Sequence, residues 1–244
     1  MIAETLKISR RFCGPSRSGN GGYVCGRLAK HVPGPASVRL KVPPPLEVEL
    51  RIEVSDGSAQ LLHGTTLIGE ARGIEFDVTP PPPPSFLEAE AASRSYYGFI
   101  HHSFPYCFVC GPKRSVADGL RLFPGKIEGR SVVAAPWIPD PTLADDSATV
   151  GVEFLWAALD CPGAFSFLPL PEGKTVVLGE LCVRIDAPVS PGDRCVVIGW
   201  PISVDGRKHF AGSAIFAESG RVIAVSRATW IEVPASAFPD EASS

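Results

Sequence analysis

The sequence lacks an excess of positive charge, because its 23 lysines and arginines are outnumbered by 26 acidic residues and its formal net charge is −3. Such a chain has no basic field that would draw it onto nucleic acid or an anionic membrane. It also lacks an apolar run approaching the roughly 18 residues of a membrane-spanning helix. Residues 1–12 contain no signal-peptide hydrophobic region. We therefore expect a cytoplasmic protein that binds neither nucleic acid nor membrane.

The cysteines lack the spacing of a disulfide framework, and their number, seven, is odd. Cys25, Cys161 and Cys182 lie in apolar segments, which favours reduced and buried thiols and agrees with a cytoplasmic address. Apolar residues make up 45% of the 244 residues, and charged residues make up 20%. The chain can therefore build a substantial core, as one large domain or two ordinary ones.

Segment 151–165 is apolar almost all round, which predicts a helix that is buried on every side. Asp160 lies near its end, where a solvated charge is not expected. Pro162 and Gly163 are predicted to break the helix.

An earlier helix is predicted over residues 23–32 from the helical spacing of the apolar residues. Asn20 is a plausible N-cap, which would leave the amides of Gly21 and Gly22 unpaired and pointing outward. The Pro-Gly-Pro segment 33–35 ends this helix.

Strands are predicted around both helices. In the first half, segments 37–42 and 46–54 alternate, 59–78 supplies two strands about Gly64 or Gly69, and 4–12 could be an edge strand. Five prolines at 80–84 form a stiff spacer, followed by a short helix over 86–97. The strands predicted in the second half are 119–123, 130–137, 175–187, 194–204, 207–217 and 221–233.

Both halves follow the order strand, helix, long antiparallel strands. Segment 38–43 (Val-Arg-Leu-Lys-Val-Pro) also lines up with 183–188 (Val-Arg-Ile-Asp-Ala-Pro). We interpret the chain as a tandem duplication. Its predicted units are an N-terminal domain (1–79), a proline-rich linker with a connecting helix (80–103) and a C-terminal domain (104–244).

Motifs in residues 104–233 resemble those of hotdog-fold acyl-CoA thioesterases of the phenylacetate-pathway type. They are Cys107-Phe-Val-Cys110-Gly111, Asp118-Gly-Leu-Arg-Leu122, Trp156-Ala-Ala-Leu-Asp160-Cys-Pro-Gly163 and Gly206-Arg207-Lys208. The first half resembles the same fold more faintly, through Asn20-Gly21-Gly22 and the strands after it. The resemblance implies an α+β double hotdog. Its two antiparallel sheets would each wrap a central helix and pair as an intramolecular pseudo-dimer.

The family carries His-Gly-Gly at the start of the helix and an acid seven residues after the second glycine. Asp160 matches the acid position in the second half, where Gly-Val-Glu (151–153) replaces His-Gly-Gly. Asn20-Gly21-Gly22 matches the donor position in the first half, where Ala29 replaces the acid. The first half therefore keeps the amide-donor part of the motif, and the second half keeps the acid.

The resemblance implies one composite catalytic site, made of Asp160, Gly21, Asn20 and Gly22. The Gly21 amide and the helix dipole would polarise a thioester carbonyl, and Asp160 would attack that carbonyl or activate a water. The related second site, with Ala29 and the Val152 region, is expected to be inactive.

Structural roles stay open for these residues. Asp160 could buttress the helix break, Asn20-Gly21-Gly22 could be only a cap and a loop, and Glu153 is interpreted as a partner of the helix dipole. Arg207 and Lys208 could contact a CoA phosphate or lie at a solvated hairpin tip. Cys161 is interpreted as a core thiol.

A zinc site could be assembled from His101, His102, Cys107 and Cys110, but a single Cys-x-x-Cys pair favours structural loop residues. We therefore assign no metal and no cofactor, with CoA entering only as part of the substrate.

The function expected from the resemblance is acyl-CoA thioesterase-like hydrolysis, in a protein that forms a homodimer. One alternative is a non-catalytic acyl-CoA binding protein. Another is a hotdog hydratase or dehydratase, for which His63 and His209 are the strand-borne candidates.

Overall fold

The structure, a computed structural model, describes residues 2–238. In that range the helices are α1 (Gly21–Ala29), α2 (Phe86–Ser93), α3 (Val152–Ala158) and α4 (Cys161–Phe165). The strands are β1 (Ile2–Lys7), β2 (Ala36–Leu40), β3 (Glu49–Ser55), β4 (Ser58–His63), β5 (Thr66–Gly73), β6 (Gly125–Lys126), β7 (Val133–Trp137), β8 (Lys174–Ile185), β9 (Cys195–Asp205), β10 (Lys208–Ala217) and β11 (Val222–Pro234). No helix within residues 2–238 is both long and apolar enough to cross a lipid bilayer.

These strands form a single antiparallel sheet in the order β1-β3-β4-β5-β2-β8-β11-β10-β9-β7-β6. The prediction of two separate sheets is therefore wrong. The sheet is continuous because β2 and β8 pair with each other, with Ser37 opposite Cys182 and Arg39 opposite Glu180. An edge strand with free backbone groups pairs readily with another such strand. Ser37 Oγ donates to Glu180 Oε1 at 2.6 Å, and Arg39 Nη2 donates to Glu180 Oε2 at 3.0 Å, which reinforces the junction.

The order of elements repeats across this junction. From the outside inward, the first half reads β1-β3-β4-β5-β2 and the second half reads β7-β9-β10-β11-β8, with β6 added at the far edge. Helix α1 connects β1 to β2, and α3 and α4 connect β7 to β8. The two similar segments, 38–43 and 183–188, begin in the paired strands β2 and β8. The predicted order of strand, helix and long strands is thus present in both halves.

Helix α1 begins where the sequence predicts. Asn20 is its N-cap, and Asn20 Oδ1 accepts a hydrogen bond from the Tyr23 amide at 2.9 Å. The second buried helix is instead two helices, and the predicted break at Pro162 and Gly163 lies too late in the chain. The break falls at Leu159 and Asp160, because Pro162 in the first turn of α4 has no amide to continue the hydrogen bonding of α3.

Helices α1 and α3 cross at very short range. Gly22 and Gly26 lie four residues apart and therefore on one face of α1. A Cβ atom on Gly22 would lie 2.6 Å from the Cβ of Asp160, and one on Gly26 would lie 2.5 Å from the Cα of Glu153. Both distances are shorter than any real contact, so only glycine permits this crossing. The crossing places Asp160 against the first turn of α1.

The opposite face of the sheet is covered in part by α2, which has a capping box between Ser85 and Glu88. Phe86 and Ala89 pack there in a second apolar cluster with residues of β7 and β9. The proline-rich segment thus leads into a helix that packs on the second half of the chain.

Most predicted strands are present within a few residues of their expected bounds, and the turn between β4 and β5 falls at Gly64. The strand predicted over 119–123 is wrong. This segment is a buried, irregular stretch whose Leu120 and Leu122 amides donate to the carbonyls of Phe108 and Val109. It packs along the loop that carries Cys107 and Cys110 instead of joining the sheet.

Candidate functional site

A cavity of about 860 Å³ opens beside the start of α1. Its walls are mostly apolar and include Leu40, Leu168, Leu178 and Trp230. The polar groups that converge on it come from both halves of the chain: Asn20 and Gly21 from the first half and Asp160 from the second. An apolar cavity with a few convergent polar groups is the usual form of a small-molecule site.

Asp160 lies at the wall of this cavity with only 2% of its surface exposed. Its Oδ2 atom accepts a hydrogen bond from the Gly22 amide at 2.9 Å and another from Asn20 Nδ2 at 2.9 Å. Its Oδ1 atom is buried and has no hydrogen-bond partner among the described residues. Leaving a buried polar atom unpaired costs about 1–3 kcal/mol, so a carboxylate oxygen in this state is poised to accept from a bound molecule.

The side-chain hydrogen bonds of Asp160 do not run to the helix break beside it. A structural cap would bond to the helix that follows it, but Asp160 makes no side-chain hydrogen bond to α4. Its partners are 138 and 140 residues away, at the start of α1. The carboxylate is therefore held by the other half of the chain.

The N-terminus of α1 differs in one respect from the expectation of two unpaired glycine amides. The Gly22 amide is bound to Asp160. The Gly21 amide has no acceptor among the described residues, and Gly21 lines the cavity. Asn20 contributes twice, since Asn20 Oδ1 caps the helix and Asn20 Nδ2 holds Asp160. A free amide at a helix N-terminus is a favourable place for a developing negative charge.

Burial is the main cause that raises the pKa of Asp160, from an ordinary value of 3.8 to about 7. The hydrogen bond from the Gly22 amide opposes this rise, and so does the hydrogen bond from Asn20. A charge on Cys107 would add to it. The pKa of the Asp160 carboxyl thus differs from that of an exposed aspartate because of its surroundings in the fold.

Three thiols gather at the same wall. Cys107, Cys110 and Cys161 are all buried and line the cavity, and their sulfur atoms lie within 4.8 Å of one another. Cys107 Sγ lies 3.8 Å from Cys161 Sγ and 3.7 Å from Asn20 Nδ2. Hydrogen bonds from the Cys110 and Cys161 thiols lower the pKa of Cys107 well below its ordinary value. Cys161 is thus a buried thiol as predicted, but it lies in a group that could hold a metal ion.

Arg207 and Lys208, the predicted CoA contacts, are exposed at the turn between β9 and β10 and are not among the residues that line the cavity. Lys208 does lie opposite Ile231, which lines it. Glu153 lies in the first turn of α3, as a dipole partner would, and its Oε2 is 2.6 Å from Lys30 Nζ. Ala29 is buried and offers no acid to the related second site.

The four histidines considered from the sequence divide into two groups. His63 is exposed at the end of β4, and neither His63 nor His209 is among the residues that line the cavity. His101 and His102 do line it. The His102 ring is already engaged, because its Nδ1 accepts from the Phe104 amide at 2.9 Å and its Nε2 lies 3.2 Å from the Cys110 carbonyl.

Some residues of the site have no signal in the sequence. Lys41 and Lys174 line the cavity and bring positive charge to it, each paired with an acid. Cys161 meets Cys107 across 54 residues of sequence. Neither feature follows from spacing, because both depend on how the loops pack.

Solved structures with this architecture cover nearly the whole chain. The tesB protein of Mycobacterium avium subs paratuberculosis is 13% identical with a TM-score of 0.61, over 95% of this chain and 93% of that one. The acyl-CoA thioesterase II TesB2 of Mycobacterium marinum is 12% identical with a TM-score of 0.60, over 97% and 94%. A hot dog fold protein of unknown function from Alicyclobacillus acidocaldarius is 10% identical with a TM-score of 0.57, over 95% and 93%.

These similarities show that the chain has the hotdog fold. No protein-family model and no curated protein matches the sequence. At identities of 10–13% the activity is not carried over by the fold. The function has to be argued from the site.

Proposed function

We propose that the protein is an acyl-CoA thioesterase-like hydrolase with a single composite site. The observation that supports this most directly is the contact between the two halves of the chain at the cavity wall. Asp160 Oδ2 lies 2.9 Å from the amide nitrogen of Gly22 and 2.9 Å from Asn20 Nδ2. Two partial motifs, each incomplete in its own half, therefore lie side by side.

The roles follow from the positions of the groups. The carbonyl oxygen of a thioester accepts a hydrogen bond from the Gly21 amide, where the N-terminus of α1 stabilises the charge that develops. Asn20 and Gly22 fix one oxygen of Asp160 and leave Oδ1 to act. Asp160 takes a proton from water as the water oxygen bonds to the carbonyl carbon. The carbon–sulfur bond then breaks, and the proton passes to the leaving thiolate. Direct attack by Asp160 on the carbonyl is the other route open to the same geometry.

The cavity suits the acyl part of such a substrate. A volume of about 860 Å³ with mostly apolar walls accommodates an acyl group. The phosphates of CoA need cations outside the apolar part. Lys41 and Lys174 in the lining are candidates for this contact, together with Arg207 and Lys208 beyond it.

We also propose that the chain is a tandem double hotdog, in which segments 1–79 and 104–244 form an intramolecular pseudo-dimer. The repeated strand order on either side of the β2–β8 junction supports this proposal. The motifs resemble the phenylacetate-pathway branch, while two of the structural neighbours described above bear TesB names. A homodimer of the whole chain and an inactive second site stay predictions of the same proposal.

A hydratase or dehydratase is disfavoured, because that chemistry needs a histidine paired with an acid in the cavity. His63 and His209 lie outside the lining residues. Of the two histidines that line the cavity, His102 has both ring nitrogens engaged by the Phe104 amide and the Cys110 carbonyl, and His101 forms no ion pair with a carboxylate of the described residues. A non-catalytic acyl-CoA binding protein would use the same cavity, and the experiment described next distinguishes it from a hydrolase.

The test is the release of free thiol from a panel of aliphatic and aromatic acyl-CoAs by the wild type and by Asp160→Asn. Asn keeps the size of the side chain and can still accept from Gly22, so the fold should survive, as checked by circular dichroism. We expect turnover to fall by at least about 100-fold, a typical effect of removing a general base. Turnover that survives the substitution would place the chemistry elsewhere. Calorimetric binding of the panel without any turnover would support a binding protein instead.

The oxyanion role of Gly21 can be tested separately. Gly21→Pro removes the amide hydrogen at the first position of α1, where proline is well tolerated. Any new Cβ at this position would contact the Leu178 side chain at about 2.8 Å, so Gly21→Ala is the matched control. We expect kcat to fall much further in Gly21→Pro than in Gly21→Ala. Equal effects would mean that the Gly21 amide does not stabilise the reacting carbonyl.

A further inference from the structure

The proposed hydrolysis makes no use of the three thiols beside the cavity. Cys107, Cys110 and Cys161 are exposed by 3%, 3% and 7%, and their sulfur atoms lie within 4.8 Å of one another. They come from two separate parts of the chain, a loop between α2 and β6 and the first residue of α4. Packing alone would not require three sulfur atoms at a single point.

The loop that carries Cys107 and Cys110 is shaped to aim both thiols the same way. The Gly111 amide donates to the Cys107 carbonyl at 2.9 Å, which closes a turn around the Cys-x-x-Cys segment. A Cβ on Gly111 would lie 2.6 Å from the backbone of Cys107 and of Pro105, so the turn requires glycine there. The Phe108 amide also donates to the Cys13 carbonyl at 2.8 Å, which ties the loop to the first half of the chain. The thiols are therefore held in place before any ligand binds.

One pair of sulfur atoms in the group has the spacing of two corners of a tetrahedral metal centre. Zinc–sulfur bonds of about 2.3 Å place two sulfur atoms roughly 3.8 Å apart at the corners of a tetrahedron. The distance between Cys107 Sγ and Cys161 Sγ is 3.8 Å. Sulfur atoms in this arrangement suit a thiophilic divalent ion such as Zn²⁺ rather than Mg²⁺ or Ca²⁺.

We propose that Cys107, Cys110 and Cys161 bind one Zn²⁺ ion through three thiolates, with the fourth position open to the cavity. The group includes no carboxylate or imidazole nitrogen of the described residues, so the protein supplies three ligands. All three cysteines line the cavity, and water or a small ligand can therefore reach the fourth position. Three protein ligands with an open position are the pattern of zinc sites that exchange a ligand.

This proposal departs from the expectation, drawn from the sequence, that no metal is bound. It also changes the ligand set considered there. His102 is excluded because both of its ring nitrogens already have partners, Phe104 and the Cys110 carbonyl. Cys161 takes its place as the third ligand. Three thiolates around a divalent ion leave one negative charge, and Asn20 Nδ2, 3.7 Å from Cys107 Sγ, donates toward it.

The first experiment measures zinc in the purified, reduced full-length protein by elemental analysis. We expect close to one zinc per chain in the wild type and a loss of most of it in Cys110→Ala and Cys161→Ala. Cys182→Ala is the matched control, because Cys182 is equally buried but lies in β8 outside the group. Wild-type protein that contains no zinc and takes up none when zinc is added would overturn the proposal.

Spectroscopy of the wild type keeps the proposal testable if the cysteine variants do not fold. X-ray absorption at the zinc edge should show three sulfur neighbours at about 2.3 Å and one lighter atom. A shell of nitrogen and oxygen alone would refute the site. In the cobalt-substituted protein, added imidazole should shift the visible bands through the open position. Bands that do not shift would show that the position is closed.

Metal binding is measured without turnover, so this test is separate from that of the hydrolase. Asp160→Asn should keep its zinc while it loses activity. An active enzyme without zinc would contradict only the metal site. Bound zinc in a protein that hydrolyses nothing would contradict only the proposed function.

Discussion

The close crossing of α1 and α3 is the feature on which the composite site depends, and a single methyl group can test it. In Gly26→Ala the new Cβ would lie 2.5 Å from Glu153 Cα and 2.8 Å from Trp156 Cβ. Ordinary contact begins at 3.4 Å, so the two helix backbones would have to separate by about 0.9 Å. The nearest atom is backbone, and Trp156 Cβ is bonded directly to its own backbone, so neither atom can rotate away.

The stability of Gly26→Ala depends on two energies of opposite sign. Forcing a methyl into a packed contact costs about 1–3 kcal/mol, and a backbone obstacle points to the upper end. Alanine in a helix interior is better than glycine by about 1 kcal/mol. We therefore expect Gly26→Ala to lower the free energy of unfolding by about 2 kcal/mol, as measured by urea denaturation. Gly73→Ala is the control, because its Cβ would meet only Val32 at 3.9 Å, and it should stay within about 1 kcal/mol of the wild type.

Gly22→Ala should destabilise the protein similarly and affect the site as well. Its Cβ would lie 2.6 Å from Asp160 Cβ, so the carboxylate would be pushed away from the Gly22 amide. Thiol release should fall far more in Gly22→Ala than in Gly26→Ala. If Gly26→Ala is as stable as the wild type, or gains the 1 kcal/mol of helix propensity, then the helices do not cross as described.

Other consequences can be measured in the same way. Asn20→Ala removes the cap of α1 and should lower the free energy of unfolding in urea by about 1–2 kcal/mol, whereas Asn20→Ser keeps a cap; equal stability of the two variants would contradict the cap. Both variants should lose turnover, because both lose the side-chain amide that holds Asp160. Lys30→Ala leaves the half-buried Glu153 carboxylate without its cation and should cost about 1–2 kcal/mol, an effect that added salt should weaken only slightly. Burial alone would raise the pKa of Glu180, but hydrogen bonds across the β2–β8 junction outweigh it and lower the pKa below the ordinary 4.5. The ionised Glu180 therefore stabilises the fold above about pH 4.5 and less as the pH falls through the lowered pKa, so Glu180→Gln should lose stability at pH 7 but little at pH 3, and an equal loss at both would refute this assignment.

Much of the local structure was determined by the sequence itself. Asn20 caps α1 as its side chain predicts, because a short acceptor just before the helix can accept from an amide of the first turn, here that of Tyr23. The apolar segment around Trp156 is buried, and the turn at Gly64 falls between two alternating strands. These features depend on a few neighbouring residues, whose preferences act over one turn of helix or one hairpin.

The tertiary structure decided everything that joins distant parts of the chain. Spacing and resemblance placed Asp160 and Asn20 in one hypothesis, but the hydrogen bond between them arises from the crossing of α1 and α3. The single sheet forms because β2 pairs with β8. The three thiols lie together because α4 begins beside the loop that carries Cys107 and Cys110. No local preference encodes such contacts, since they are selected by the packing of the whole core. The sequence therefore determined the parts of the site, and the fold determined which of them meet.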